Sequence, residues 1–149
     1  MAMSPDGVSW EKYNIESTTA TIVAESDPIL KTGSSGQWDR DRVMDPNVLR
    51  TDEGWVMLYE SSHLNQQRQR RDYGIGVAFS EDGVNWERPA GDNQLLATLA
   101  DKGWTAIYLI TAVSHNGTTY LYYDVQPTVQ SGTTIYGAAF TGSLLRNGN

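Results

Sequence analysis

Hydrophobic residues along this chain fall into short segments separated by turn-forming residues. The segments are rich in β-branched and aromatic side chains, which favour pleated strands. They lie at residues 19–23, 42–50, 54–61, 73–80, 105–114, 119–125 and 134–141. The nearest approach to an amphipathic helical period, at 95–104, is about one to two turns long at most. The pattern therefore predicts an all-β fold.

Two connections between these segments have the composition of β-hairpin turns. T-D-E-G at 51–54 and H-N-G at 115–117 each join two apolar segments. Gly54 and Gly117 supply the positive φ that such turns require. Both pairs of flanking segments are therefore predicted to be antiparallel.

One octapeptide pattern, S-x-D-G-V-x-W-E, occurs twice, at 4–11 and at 80–87. Its Asp can accept hydrogen bonds from backbone amides, and its Gly can adopt the left-handed conformation. Its Trp, Trp10 or Trp86, is expected to pack on a neighbouring layer. The repeat is therefore interpreted as a turn that the architecture needs twice.

A longer repeat contains this turn. Residues 36–61 align loosely with 102–125, pairing Trp38 with Trp104 and Tyr59 with Tyr123, and 75–80 align with 136–141. Units of four antiparallel strands are typical of β-propeller blades. The prediction is a single partial β-propeller domain over 1–149, with about two blades. The first blade spans about 36–90, and the second, about 91–141, is completed by an N-terminal strand at about 10–24.

About two blades are too few to bury their own faces, since propellers use roughly 4–8. The chain is therefore expected to self-associate or to belong to a longer polypeptide.

The net charge of the chain limits the classes of molecule that it can bind. With 18 acidic and 11 basic residues the formal charge is −7, which argues against nucleic-acid binding. A basic cluster, Arg68, Arg70 and Arg71, is interpreted as a solvated loop, with anion binding as the alternative. No apolar run approaches a membrane span, and the start M-A-M-S-P-D-G lacks a secretory signal pattern. A cytoplasmic location is the default, with the compartment left open.

Composition adds two further observations. The chain has no cysteine, which leaves no disulfide framework and no thiolate site. Five Trp and eight Tyr suit either a strand-rich core or a sugar-stacking surface. The two histidines, His63 and His115, lack zinc spacing, and there is no acidic calcium loop or nucleotide motif. The sequence therefore predicts no metal and no cofactor.

The order of these motifs resembles a known superfamily. S-x-D-G-V-x-W, D-P-I-L, G-x-W-D, D-P-N-V-L, W-V-M-L-Y and G-I-G-V-A-F-S follow one another as in the five-bladed β-propeller glycoside hydrolases. These include arabinanases, β-xylosidases, invertases and levansucrases. The resemblance covers most of residues 4–125 and implies a carbohydrate partner.

The resemblance also implies a set of inner-strand carboxylates. One acts as general acid, a second as base or nucleophile, and a third, an Asp before Pro, stabilises the transition state or tunes the acid. Asp45 in V-M-D-P-N-V matches the third position. Met44 replaces the Arg of the invertase branch, although Arg42 can share a strand face with it. Thr111 and Ala112 are the expected equivalents of the Asp-Pro pair in the second unit.

The sequence does not identify which residues are the acid and the base. Asp39 and Glu60 are candidates by strand position, as are Asp41 and Asp124; solvated surface groups are the alternative for each. Arg42, Trp55 and Trp38 are the candidate sugar-binding residues, with packing inside the blade as the alternative for the two Trp. The competing hypotheses are a glycosidase, a non-catalytic carbohydrate-binding or scaffold module, and a fragment without retained function.

Overall fold

The computed structural model consists of β-strands, turns and loops in every part of the chain that it describes. No helix long and apolar enough to cross a membrane occurs there. By its contacts the chain divides into two compact units, Met1–Lys31 and Thr32–Asn149. The predicted all-β class is confirmed. The described residues are 2–12, 28–89, 94–97 and 104–141.

The first unit contains a short hairpin. Strand β1 (Ala2–Met3) pairs antiparallel with β2 (Glu11–Lys12) across the first octapeptide. The N-terminal strand predicted at about 10–24 lies, from residue 13 onward, outside the described residues. Its pairing with the second blade stays a prediction.

The second unit begins with a four-stranded antiparallel sheet, called here the first sheet. Its order along the sheet is the order along the chain. The fourth strand includes the first residues of the segment 95–104, whose sequence was the nearest approach to a helical pattern. The strands are β3 (Arg42–Thr51), β4 (Gly54–Asn65), β5 (Arg70–Ser80) and β6 (Gln94–Ala97). This sheet has the strand number and topology expected of a propeller blade.

The second sheet has three described strands, β7 (Ala106–His115), β8 (Thr118–Gln126) and β9 (Thr134–Thr141). The β3–β4 and β7–β8 connections are tight hairpins in which Gly54 and Gly117 have φ of 135° and 71°. Both predicted hairpins are therefore confirmed.

The core lies between the two sheets. Because side chains alternate along a strand, β4 directs every second residue toward the second sheet. These residues and their neighbours on β5 form one apolar cluster with β7 and β8: Val56, Leu58, Ile75, Val77, Ile107, Leu109, Ala112, Leu121, Tyr123 and Val125. Removing this surface from water holds the sheets together, at roughly 25 cal/mol per Å² of apolar area.

The opposite face of β4 is covered as well. The Trp38 ring stacks on Tyr59 with centroids 5.9 Å apart. A Cβ atom at Gly76 would lie 2.6 Å from the Trp38 ring and 2.8 Å from the Tyr59 ring, so the stack needs a glycine on β5. The strand β4 is consequently buried on both sides from Val56 to Ser62.

The octapeptide turn forms the same structure in both copies. Asp82 Oδ1 accepts hydrogen bonds from the amides of Val84 and Asn85, each at 2.8 Å, and Asp6 Oδ1 does the same for its two following amides. Gly83 has φ of 78° and Gly7 of 76°. The turn is architectural in both places, as predicted. The Trp of each copy was expected to pack on a neighbouring layer. Trp86 is half-buried, but Trp10 is 62% exposed, so the two copies differ in how their Trp packs.

Candidate active site

Glu60 lies in the centre of the core-facing side of the first sheet. It pairs across the strands with Met44 of β3 and Ile75 of β5, and cross-strand partners share one face of a sheet. The residue is 2% exposed. The Leu109 amide of β7 donates a hydrogen bond to Glu60 Oε2 at 3.4 Å. A carboxyl group is therefore enclosed between two largely apolar sheets.

This environment favours the protonated form of Glu60. Burial and then the negative charges of Asp45 and Asp124 raise the pKa of Glu60 from 4.5 to about 7, although the Leu109 amide opposes the rise. The amide lowers the pKa because it donates its hydrogen bond to the ionised form. A carboxyl group with this pKa can hold and release a proton near neutral pH, as a general acid must.

Asp45 lies at a break in the β3 ladder. The register with β4 shifts between Met44 and Asn47, so that Asp45 and Pro46 form a bulge. Asp45 is exposed and has φ of 50°, a left-handed conformation that costs roughly 1–2 kcal/mol for a non-glycine residue. Such strain is concentrated at functional sites. The bulge holds a solvent-accessible carboxylate in electrostatic range of Glu60.

Asp124 and two tyrosines complete the group. Asp124 lies on β8 and is half-buried, and its Oδ1 has no hydrogen-bond partner among the described residues. The rings of Tyr73 and Tyr108 meet edge to face at 5.6 Å. Burial raises the pKa of Tyr108, with further contributions from Tyr73, Glu60 and Asp124. The tyrosines were not identified from the sequence, because nothing local separates them from the other strand tyrosines.

The strand registers correct one expected equivalence between the two units. Asn47 pairs with Leu58, and Thr111 pairs with Tyr122. With Tyr59 and Tyr123 aligned, Thr111 therefore matches Asn47 rather than Asp45, and Leu109 stands where Asp45 would be. The matched pair is also in contact, since Asn47 Nδ2 donates to Thr111 Oγ1 at 3.3 Å. The second sheet still has no carboxylate at this place.

Asp39 and Trp38 lie on the other face of β4, away from Glu60. Asp39 is fully buried, and its Oδ2 accepts hydrogen bonds from Tyr59 Oη at 2.8 Å and Arg88 Nε at 2.7 Å. Successive residues of a strand point to opposite faces, so Tyr59 carries this cluster and Glu60 the other. The structure places Asp39 and Trp38 in a buried network that joins the loop before β3 to the segment after the second octapeptide.

The other predicted residues divide between the two faces. Trp55 lies at the start of β4, five positions before Glu60 in the sequence and on the opposite face, with the Arg50 guanidinium 4.8 Å from its ring centroid. Arg42 lies on the Glu60 face, because it pairs with Ser62. Asp41 is exposed, and the Leu64 amide and nearby arginines lower its pKa.

No cluster of three or more His, Cys, Asp or Glu with metal-binding geometry occurs in the part of the chain that the structure describes.

Comparison with known proteins gives a likeness of fold. No family model and no curated protein matches the chain. Solved structures that match include one described as a complex of BT0996 with RGII and one described as "Glycoside hydrolase". Each aligns over 77% of this chain with a TM-score of 0.58 and 17% identity. The chain spans 34% of the length of each, about a third. It therefore shares its fold with part of these proteins, one of which is a glycoside hydrolase.

Proposed function

We propose that the protein is a glycoside-hydrolase-like, carbohydrate-active protein that cleaves a glycosidic bond at the Glu60 face. The observation that carries this proposal is a buried carboxyl group whose pKa is raised to about 7 beside two other carboxylates. Glycoside hydrolysis uses such a group to protonate the leaving oxygen. The fold shared with a glycoside hydrolase supports the same interpretation.

Each carboxyl group has a separate role in this proposal. Glu60 donates its proton to the glycosidic oxygen as the bond to the anomeric carbon breaks. The negative charge of Asp45 keeps the proton on Glu60 and stabilises the positive charge that develops on the sugar. Asp124 pairs with Ile135 and therefore lies on the outer face of the second sheet, so its part is to raise the pKa of Glu60 through its negative charge.

Replacing Asp45 with asparagine tests this arrangement. We expect hydrolysis of a panel of aryl furanosides, xylosides and fructosides to fall by about 100-fold or more. Loss of the negative charge also lowers the pKa of Glu60, so the alkaline limb of the pH–rate profile should move to lower pH. Asp52→Asn, in the exposed β3–β4 hairpin, is the matched control and should retain the parent rate. An unchanged rate in Asp45→Asn would exclude the role given to Asp45.

A non-catalytic carbohydrate-binding or scaffold module is the second candidate. It is favoured by Leu109, which stands in the second sheet where the first has Asp45. Binding on a glycan array without turnover of any bound glycan would select this function, and absence of both binding and turnover would leave a scaffold role.

We also propose that a second copy of the chain covers the outer face of the second sheet. This face comprises Val113, Tyr120, Tyr122 and Ile135, which are 37–69% exposed. The matching residues of β4, Val56 and Leu58, are covered by the second sheet itself. The repeat makes the outer face of the second sheet equivalent to the face of the first sheet that the second sheet covers. A sheet from another copy of the chain is therefore a suitable partner for this outer face.

Light scattering on a size-exclusion column tests this self-association. We expect a dimer or larger oligomer, and Tyr122→Lys should shift it toward the monomer because a charge cannot be buried there without a partner. Ser114→Lys, at an exposed position on the neighbouring strand β7, is the control. A monomer at all concentrations would refute the proposal and would favour a further blade of a longer polypeptide as the partner.

A further inference from the structure

The row of side chains next to Glu60 on the same face contains an arginine. Ser62 follows Glu60 by two residues, so it projects from the same side of β4 about 7 Å further along the strand. Its cross-strand partners are Arg42 on β3 and Tyr73 on β5. Arg71, two residues before Tyr73, shares this face. Arg42 thus lies in the row next to Glu60, and Arg71, which pairs with Leu64, lies in the row after that.

The two arginines differ in how far their charges are compensated. Arg71 Nη1 lies 3.3 Å from Ser62 Oγ and 3.5 Å from Asp41 Oδ2, which holds its guanidinium beside the buried Ser62. Arg42 is exposed and forms no ion pair with any residue that the structure describes. The negative charge of Asp41 compensates the positive charge of Arg71. The uncompensated positive charge near Glu60 is therefore that of Arg42.

The positive charge of Arg42 lies in a molecule that is acidic overall. The chain has a formal charge of −7, and the negative charges of Asp45 and Asp124, which raise the pKa of Glu60, would repel an anion near it. An arginine one row from Glu60, with no ion pair to the described residues, gives a ligand carboxylate a defined position on the same face. A guanidinium binds carboxylates through two parallel N–H donors, which a neutral hydroxyl cannot match.

We propose that Arg42, supported by Arg71, binds the carboxylate of an acidic sugar, a uronate, in the glycan that the Glu60 face receives. The inference rests on the proposed function, because it names the substrate class of the same face. It also gives the basic residue Arg71 a role that the sequence left as the alternative to a solvated loop.

Titration calorimetry with galacturonate oligosaccharides and their methyl esters tests the inference. The two ligands have the same sugar rings and linkages, and esterification removes the negative charge of the carboxyl group while adding only a methyl group. We expect the intact protein to bind the free acids at least tenfold more tightly than the esters, with the difference reduced by added salt. Arg42→Gln should abolish the preference, and Arg42→Lys should restore part of it.

Arg50→Gln is the matched control, because Arg50 is an exposed arginine on the same strand, stacked over Trp55. It should keep the full preference. Equal binding of acid and ester, a preference that survives in Arg42→Gln, or binding of neither ligand would overturn the inference. Tight, Arg42-dependent binding of the acids without their hydrolysis would uphold it and reject the hydrolytic role of Glu60.

Discussion

Glutamine in place of Glu60 is expected to slow glycoside hydrolysis by about 10²–10⁴-fold. Glutamine has nearly the same shape as glutamate but has no proton to give to a leaving oxygen. Aryl glycosides with good leaving groups need less acid assistance, so their hydrolysis should fall least. Steady-state rates on a series of leaving groups, measured across the pH range around 7, would separate this effect from a general loss of binding.

The same substitution should change how stability depends on pH. Burial raises the pKa of Glu60 in the folded chain from 4.5 to about 7. The folded state therefore holds this proton more tightly, so the contribution to stability is complete below pH 4.5 and is lost as pH rises through about 7. A shift of this size corresponds to roughly 3 kcal/mol. Glu60→Gln should not show this loss.

Urea unfolding followed by Trp fluorescence at acidic and mildly alkaline pH measures the difference. The comparison is between the pH slopes of the parent chain and the variant, with Glu87→Gln, at an exposed glutamate, as control. If stability depended on pH in the same way in all three proteins, Glu60 would not be the group whose pKa is raised by burial. A changed slope together with an unchanged hydrolysis rate would instead make Glu60 a structural group.

Alanine in place of Asp39 is expected to lower the free energy of unfolding by about 3–5 kcal/mol. Asp39 is fully buried and accepts hydrogen bonds from Tyr59 Oη and Arg88 Nε. Its removal leaves the hydroxyl of Tyr59 without this acceptor and the guanidinium of Arg88 without its closest counter-charge. A partly buried cation that loses its closest counter-charge is less favourable than one in water.

The control for Asp39 is Asp41→Ala, which removes an exposed aspartate that also faces arginines. Its effect on urea unfolding should be much the smaller, because surface ion pairs are screened by water. Equal losses for the two variants would contradict the role of Asp39 as the anchor of the network. Retention of hydrolysis in folded Asp39→Asn would support a role in packing over one in catalysis.

Much of the fold was predictable because its signals are local. Apart from β6, which the sequence did not predict as a strand, the described strands from 42 to 141 begin and end close to the apolar segments, and both hairpins carry the glycine that their backbone requires. The octapeptide turn is specified by an Asp that bonds to amides two and three residues later. The pairing of Trp38 and Trp104 correctly aligned two sheets, although the bulges shifted the equivalence of Asp45 by two residues.

The candidate site was only partly predictable. Asp45 was recognised from its Asp-Pro pair and Glu60 only from its place on a strand, where nothing distinguished it from Asp39. Neighbours decided between them: Glu60 faces the second sheet, whereas Asp39 faces Arg88, which is 49 residues away in the sequence. Tyr73, Tyr108 and Arg88 had no local signal at all.

The sequence by itself determined the all-β class, the strand positions, the turns and the repeat, since each depends on residues within a few positions of one another. Only the tertiary structure decided which carboxyl group lies against the second sheet with a raised pKa, Glu60, and which is bound by Tyr59 and Arg88, Asp39. Leu109, 49 residues from Glu60, reaches its carboxyl group only when the two sheets pack. A pKa depends on burial and on nearby charges, and both come into being when distant segments of the chain meet.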